Sequence, residues 1–261
     1  MRAVSICGAM VLTASVLVAG CGPSQLERDA VDPNTLSETN AASYNVSLGL
    51  TYLQQGKIEL AQDKLERALS QNPRDPTVHT AVALLYDRIG EDHKAEQHFR
   101  TALKMKPNDP SVQNYYGVFL CKRKRYEEGE KVLLKAAASP LYQTPEVAVN
   151  NVGVCERNAG HLDVAEQYFR KATDLRPQFA EGWLQLAEVS YLRKNYSVAR
   201  DYLQHHLSLT RTSASALWLA LRIERAVGNT KQVEAYARRL KTEFPNAEET
   251  RQLMEQERKS G

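Results

Sequence analysis

Residues 82–107 read VALLYDRIGEDHKAEQHFRTALKMKP. A large-then-small pair, Val82-Ala83, is followed by Ala95, by Phe99 four residues later, by Ala102 three further on and by Pro107. Apolar residues at that spacing share one face of a helix, and a proline just beyond them ends it. The register recurs along the chain. Ala61, Ala95, Gly129, Ala165, Ala199 and Val233 are separated by 34, 34, 36, 34 and 34 residues. Leu65, Phe99, Leu133, Phe169, Leu203 and Ala237 follow them by four, and Ala68, Ala102, Ala136, Ala172, His206 and Leu240 by seven. Pro73, Pro107, Pro177 and Pro245 keep phase, Pro140 falls one residue early, and Arg211 stands where the fifth proline would be. The pairs Leu48-Gly49, Tyr116-Gly117, Val152-Gly153 and Leu186-Ala187 repeat Val82-Ala83, while Ala220-Leu221 marks a degenerate sixth unit.

Two helices per 34 residues, with small side chains where they cross, resemble the tetratricopeptide repeat. That resemblance implies an all-α, right-handed superhelical solenoid of six helix-turn-helix units over residues 42–247. Each unit buries its apolar face only against its neighbours, so the six form one continuous body. Residues 248–261, rich in Glu, Gln and Arg, are expected to form a C-terminal helical tail. Composition agrees with an all-helical reading: 43% of the 261 residues are hydrophobic and 25% charged, with only 13 Gly and 10 Pro. The 34 basic against 31 acidic residues leave a net +3, too small and too well mixed for a nucleic-acid binder.

Met1-Arg2, then an apolar run from Ala3 to Val18, reads as a secretory signal over residues 1–20; the run is too short for a membrane span. Val18-Ala19-Gly20-Cys21 resembles the bacterial lipobox, which implies acylation of Cys21 and a lipid-anchored protein. Gly22, where Asp is the inner-membrane retention signal of that class, implies the periplasmic face of the outer membrane. Residues 21–41, polar and carrying Pro23, Pro33 and Asn34, are expected to be the acylated cysteine and a flexible tether.

No catalytic constellation stands out. The six histidines never fall at i, i+4, no cysteines have zinc spacing, and neither a nucleophile elbow nor a phosphate loop is present; no metal or cofactor is expected. The run Lys122-Arg-Lys-Arg125 falls at the turn between the helices of unit three, followed by Glu127, Glu128 and Glu130, and reads as a solvated turn. In the repeat register Cys121 and Cys155 lie on adjacent first helices. An oxidising periplasm permits a disulfide between them, with two packed thiols as the alternative.

The resemblance also implies that repeat positions 2, 5, 9, 12 and 13 face a concave groove. They supply Val46, Leu50, Leu53, Leu84, Arg88, Asn114, Val118, Asn150, Val154 and Asn158 as candidate partner contacts. Apolar residues would desolvate a bound peptide and the amides would satisfy its backbone. The alternative at each position is packing against a neighbouring first helix.

The segments Asn114–Leu120 (NYYGVFL), Lys124–Glu128 (KRYEE), Ser139–Tyr142 (SPLY), Leu221-Arg-Ile223, Leu240-Lys241 and Phe244-Pro245, in that order, resemble the type IV pilus biogenesis and stability lipoproteins, the PilF/PilW pilotin family. That resemblance implies a pilotin that binds the secretin of the type IV pilus machinery and promotes its outer-membrane localisation and multimerisation. The alternative is another periplasmic adaptor lipoprotein, a scaffold for β-barrel assembly or peptidoglycan hydrolases.

Overall fold

A computed structural model describes residues 33–260, and among them there are thirteen helices and no strand. Six hairpins follow one another: α1 (Pro33–Gln54) with α2 (Ile58–Gln71), α3 (Pro76–Ile89) with α4 (Asp92–Met105), and α5 (Pro110–Lys122) with α6 (Tyr126–Ala137). Then come α7 (Pro145–Ala159) with α8 (Leu162–Leu175), α9 (Ala180–Leu192) with α10 (Tyr196–Leu209), and α11 (Ala214–Ala226) with α12 (Thr230–Glu243). The helix α13 (Glu248–Ser260) closes the array.

The punctuation is local chemistry. Pro73, Pro107, Pro177 and Pro245 each lie two residues past the end of a second helix. The first helices α3, α5 and α7 start on Pro76, Pro110 and Pro145, where the missing N–H is not needed. Asp75 caps α3 by accepting from the Thr77 N–H at 2.7 Å, and Asp109 caps α5 through the Ser111 and Val112 N–H groups. Between the helices of a unit the chain turns through a left-handed residue, glycine at Gly56, Gly90, Gly160 and Gly228 but lysine at Lys124 and Lys194.

Each hairpin closes on its small positions. Ala61, Ala95, Ala165 and Ala199 have no exposed surface, and Leu65, Phe99, Leu133 and Phe169 fill the space one turn on. The partner helix must carry a small residue opposite: a Cβ on Gly117 would lie 2.6 Å from Leu133 Cγ, and one on Gly153 2.5 Å from Phe169 Cε1. Burying each of these large side chains contributes roughly 1.5–3 kcal/mol. In unit six Val233 and Ala237 are only half-buried, and Leu240 is the buried residue of α12. There α13 completes the core, placing Leu253 against Leu217, Leu221 and Leu240. The Thr250 hydroxyl donates to the Phe244 carbonyl at 2.7 Å. The tail is thus a cap that covers an apolar end, as an open solenoid needs.

Two features differ from the sequence expectation. The first helix begins at Pro33, so residues 33–41, expected as tether, are helical; Asn, Ser and Thr lower helix propensity, but Pro33 is preset for a first turn. The unit-three excess is a seven-residue connection, 138–144, where the other joints between units have four. Cys21, the lipobox and the signal lie outside the described residues.

Candidate functional site

The backbone of every first helix packs on the next one, α1 on α3, α3 on α5, α5 on α7, α7 on α9 and α9 on α11, whereas successive second helices stand farther apart and meet only through long side chains, as where Tyr168 donates to Glu130. Helices whose backbones approach closely lie on the inside of the curve, and helices that splay lie outside. The first helices therefore form the concave wall.

Leu50, Leu53, Leu84 and Arg88 face a cleft of about 350 Å³ across α1, α3 and α5, together with Gln54, Asp87, Tyr115 and Lys122. Val118 is half-buried against Leu133 and the cysteines, and Val154 against Phe169 and Leu186. Asn158 is exposed. Three candidates are not on the groove surface. Val46, 5% exposed, belongs to the core with Ala42 and Leu65. Asn114 is buried, its Oδ1 accepting from Asn151 Nδ2 at 2.9 Å, so this amide is a strut between α5 and α7. Asn150 is buried as well, with Oδ1 unpartnered among the described residues. Close packing of the first helices draws position 5 into the wall in units one to four, at Val46, Thr80, Asn114 and Asn150, and leaves positions 9 and 13 outside.

Cys121 and Cys155 are disulfide-bonded, Cα to Cα 5.4 Å, tying α5 to α7 beside the Asn114–Asn151 strut. The bond crosses the junction where the long connection breaks the repeat spacing.

The C-terminal half of the wall carries groups that the sequence reading left out. Arg222 donates to Glu188 at 3.0 Å and lies 4.3 Å over the Tyr191 ring. Arg225 donates to Gln256 of the cap at 2.9 Å. With Trp218 and Ala226 these residues line a second cleft of about 270 Å³. Burial holds the Arg157 guanidinium below its ordinary pKa, against the pull of Glu188 and Glu181, and its Nη1 donates to Gln185. Glu188 and Arg222 occupy position 9, Tyr191 and Arg225 position 12, and Trp218 position 5. The signal was present, and extending the register through units five and six would have found them.

The Lys122–Arg125 turn is a clasp rather than a freely solvated loop. Asp87, its side chain 9% exposed, accepts from Lys122 at 2.9 Å and from Arg123. Arg123 also meets Asp92 and stacks 4.4 Å over Phe119. Arg125 bridges Glu96 at 2.8 Å and Glu128 at 2.7 Å. The basic run thereby joins unit three to unit two; Lys122, Arg123 and Arg125 have acidic partners within the chain, while Lys124 is exposed. Sequence spacing also hid a histidine pair: His79 on α3 and His98 on α4 approach to 2.9 Å through their Nδ1 atoms.

Among the described residues no helix is long and apolar enough to cross a membrane. The wall offers apolar clefts, paired charges and aromatic rings, the means of holding a polypeptide.

The profile of the tetratricopeptide repeat matches residues 46–110, 83–142 and 156–216. The type IV pilus assembly protein PilF of Pseudomonas aeruginosa is 27% identical over 202 residues, 77% of this chain and 80% of PilF. The solved structure of Pseudomonas aeruginosa PilF superposes with a TM-score of 0.64 at 28% identity, over 84% of this chain and 99% of that one. The crystal structure of PilW, a widely conserved type IV pilus biogenesis factor, superposes with a TM-score of 0.69 at 28% identity, over 86% of this chain and all of PilW.

Proposed function

We propose a function from the premise that the chain belongs to the tetratricopeptide-repeat family: it is a lipid-anchored pilotin of the type IV pilus machinery. Cys21 is acylated and holds the protein at the periplasmic face of the outer membrane. The concave wall grips a segment of the secretin, bringing subunits to the membrane where they multimerise. The observation that carries this reading is similarity to PilF and PilW over 77% to 86% of the chain.

The mechanism is one of coupling. An acyl chain supplies about 0.8 kcal/mol per buried methylene, and several chains together make a lasting anchor. Once the wall holds a secretin segment, insertion of that subunit becomes effectively intramolecular, and its local concentration at the bilayer rises without any new contact. No bond is made or broken. The two clefts supply the grip: leucines at the N-terminal end, and Trp218, Tyr191 and Arg222 at the other, residue types that dominate binding energy when desolvated.

The test is capture from detergent-solubilised envelope, using the whole chain as bait and probing for the secretin. Recovery that falls at least tenfold with Leu84→Glu, and with Trp218→Ala combined with Arg222→Ala, is expected. Absence of secretin from the captured material would overturn the reading.

A further inference from the structure

The turns that lead from each second helix to the next first helix lie along one edge of the solenoid, and α1 begins at that same edge. Three successive turns there hold an apolar side chain in water. Met105 ends α4, Leu141 stands in the 138–144 connection, and Leu175 ends α8; they are 38%, 75% and 51% exposed. None belongs to a core cluster, and the residue matching Met105 and Leu175 is Leu209 in α10 but Gln71 in α2 and Glu243 in α12, so the repeat does not require an apolar side chain there. Met105, Pro107, Pro110 and Leu141 border one shallow depression of about 610 Å³. The long connection thus delivers Leu141 beside the preceding turn.

Around Met105 and Leu141 the charges without an opposite partner are cationic. Lys104 and Lys106 flank Met105, both exposed and neither paired with an acid among the described residues. Lys135 reaches only the Pro107 carbonyl, at 3.4 Å. The nearby acids are already engaged: Asp75 and Asp109 cap helices, and the buried Glu146 accepts from Arg176 at 3.0 Å. Asp174, beside Leu175, and Glu181, which accepts only from the Gln185 amide, are exposed acids at this edge. At the opposite edge Ile89, Leu192 and Val227 are also exposed; there Lys122, Arg123 and Arg125 are bound by Asp87, Asp92, Glu96 and Glu128, and Lys124 and Lys194 are exposed without an acidic partner among the described residues. What sets the first edge apart is that two apolar tips, Met105 and Leu141, share one depression with Lys104, Lys106 and Lys135 gathered around it.

We propose that this edge rests on an anionic lipid surface. Side chains on three separate turns, set in a line rather than around a deep pocket, suit a planar partner: the apolar tips enter below the headgroups while the lysines meet phosphates. The inference extends the membrane-anchored reading above, since an acylated Cys21 would sit at most about 40 Å of extended chain from Pro33, within reach of the same surface. The helices would then stand upright on the bilayer and the groove would open sideways, along the membrane plane, toward a partner in the same leaflet.

The experiment is vesicle flotation of residues 21–261 carrying Cys21→Ser, which separates the edge contact from acylation. The protein should float with phosphatidylglycerol vesicles, less so at high salt, and not with phosphatidylcholine vesicles. Combined Met105→Glu, Leu141→Glu and Leu175→Glu should lower binding at least about tenfold, and Lys104→Ala or Lys106→Ala about fivefold each. Ile89→Glu and Val227→Glu should leave flotation unchanged, and far-UV circular dichroism reports the fold of every variant. Failure to float on phosphatidylglycerol, or flotation indifferent to the edge substitutions, would overturn the proposal. Loss of secretin capture by the edge variants without vesicle binding by the parent would overturn it too, and assign the edge to a protein interface. The anchor itself is read separately, from the mass of the processed Cys21.

Discussion

Gly129 occupies the position where four other units carry alanine, and its neighbour across the hairpin explains why. A Cβ there would run into Cys121 Sγ and approach the Gly117 carbonyl oxygen to 2.9 Å. The disulfide sulfur fills the space that an alanine methyl takes in Ala61, Ala95, Ala165 and Ala199. Gly129→Ala should therefore cost about 1–3 kcal/mol by overpacking, read as a lower urea midpoint, and Cys121→Ala in the same chain should recover part of it. A second prediction concerns the buried histidines. His79 Nε2 donates to the Pro73 carbonyl at 3.0 Å, which leaves its Nδ1 to accept from His98 Nδ1–H at 2.9 Å. Burial, and the proximity of His79, depress the His98 pKa. Below the ordinary value of about 6.5 the unfolded chain takes up a proton that the folded chain refuses, so this contribution to stability is lost as pH falls through that value and is constant above it. Urea midpoints measured on either side of pH 6.5 should show the loss, and His98→Gln should flatten it.

At the scale of elements, the junction between units three and four is the one place where the repeat spacing fails, and it is where the chain is cross-linked. The disulfide and the Asn114–Asn151 hydrogen bond join α5 to α7 across the long connection. For a separation of 34 residues the chain-entropy relation sets an upper figure of about 3.8 kcal/mol. Reduction should lower the unfolding temperature and the urea midpoint of the native chain, and reductant should have no effect on the Cys121→Ala, Cys155→Ala double variant. Much of this element-level order was legible in the residues. The crossing positions, the large residues packed on them and the helix-ending prolines follow from steric rules that each unit repeats. The start of α1 was not legible, because its residues are poor helix formers and only the proline argues for a first turn. Nor was the Lys122–Arg125 clasp, because Asp87, Asp92 and Glu96 lie on α3 and α4, some thirty residues away, and no local rule brings them together.

For the molecule as a whole, contact among first helices and separation among second helices set the curvature, and the curvature decides which side chains a partner meets. The groove was legible only in part. Register placed Leu50, Leu53, Leu84, Arg88 and Asn158 on the open face, but it could not show that position 5 closes into the wall at Val46, Asn114 and Asn150. Whether a side chain is a contact or a strut depends on how tightly neighbouring helices approach, and that is a property of the stack. The function we propose couples this wall to an anchor at one terminus. Its most direct test is Cys21→Ser in the producing cell, with secretin multimers assayed in fractionated outer membranes. The account predicts a folded protein that still captures secretin but leaves the outer-membrane fraction, with multimers there reduced at least tenfold. Normal multimers in that fraction, formed with an unacylated chain, would contradict it.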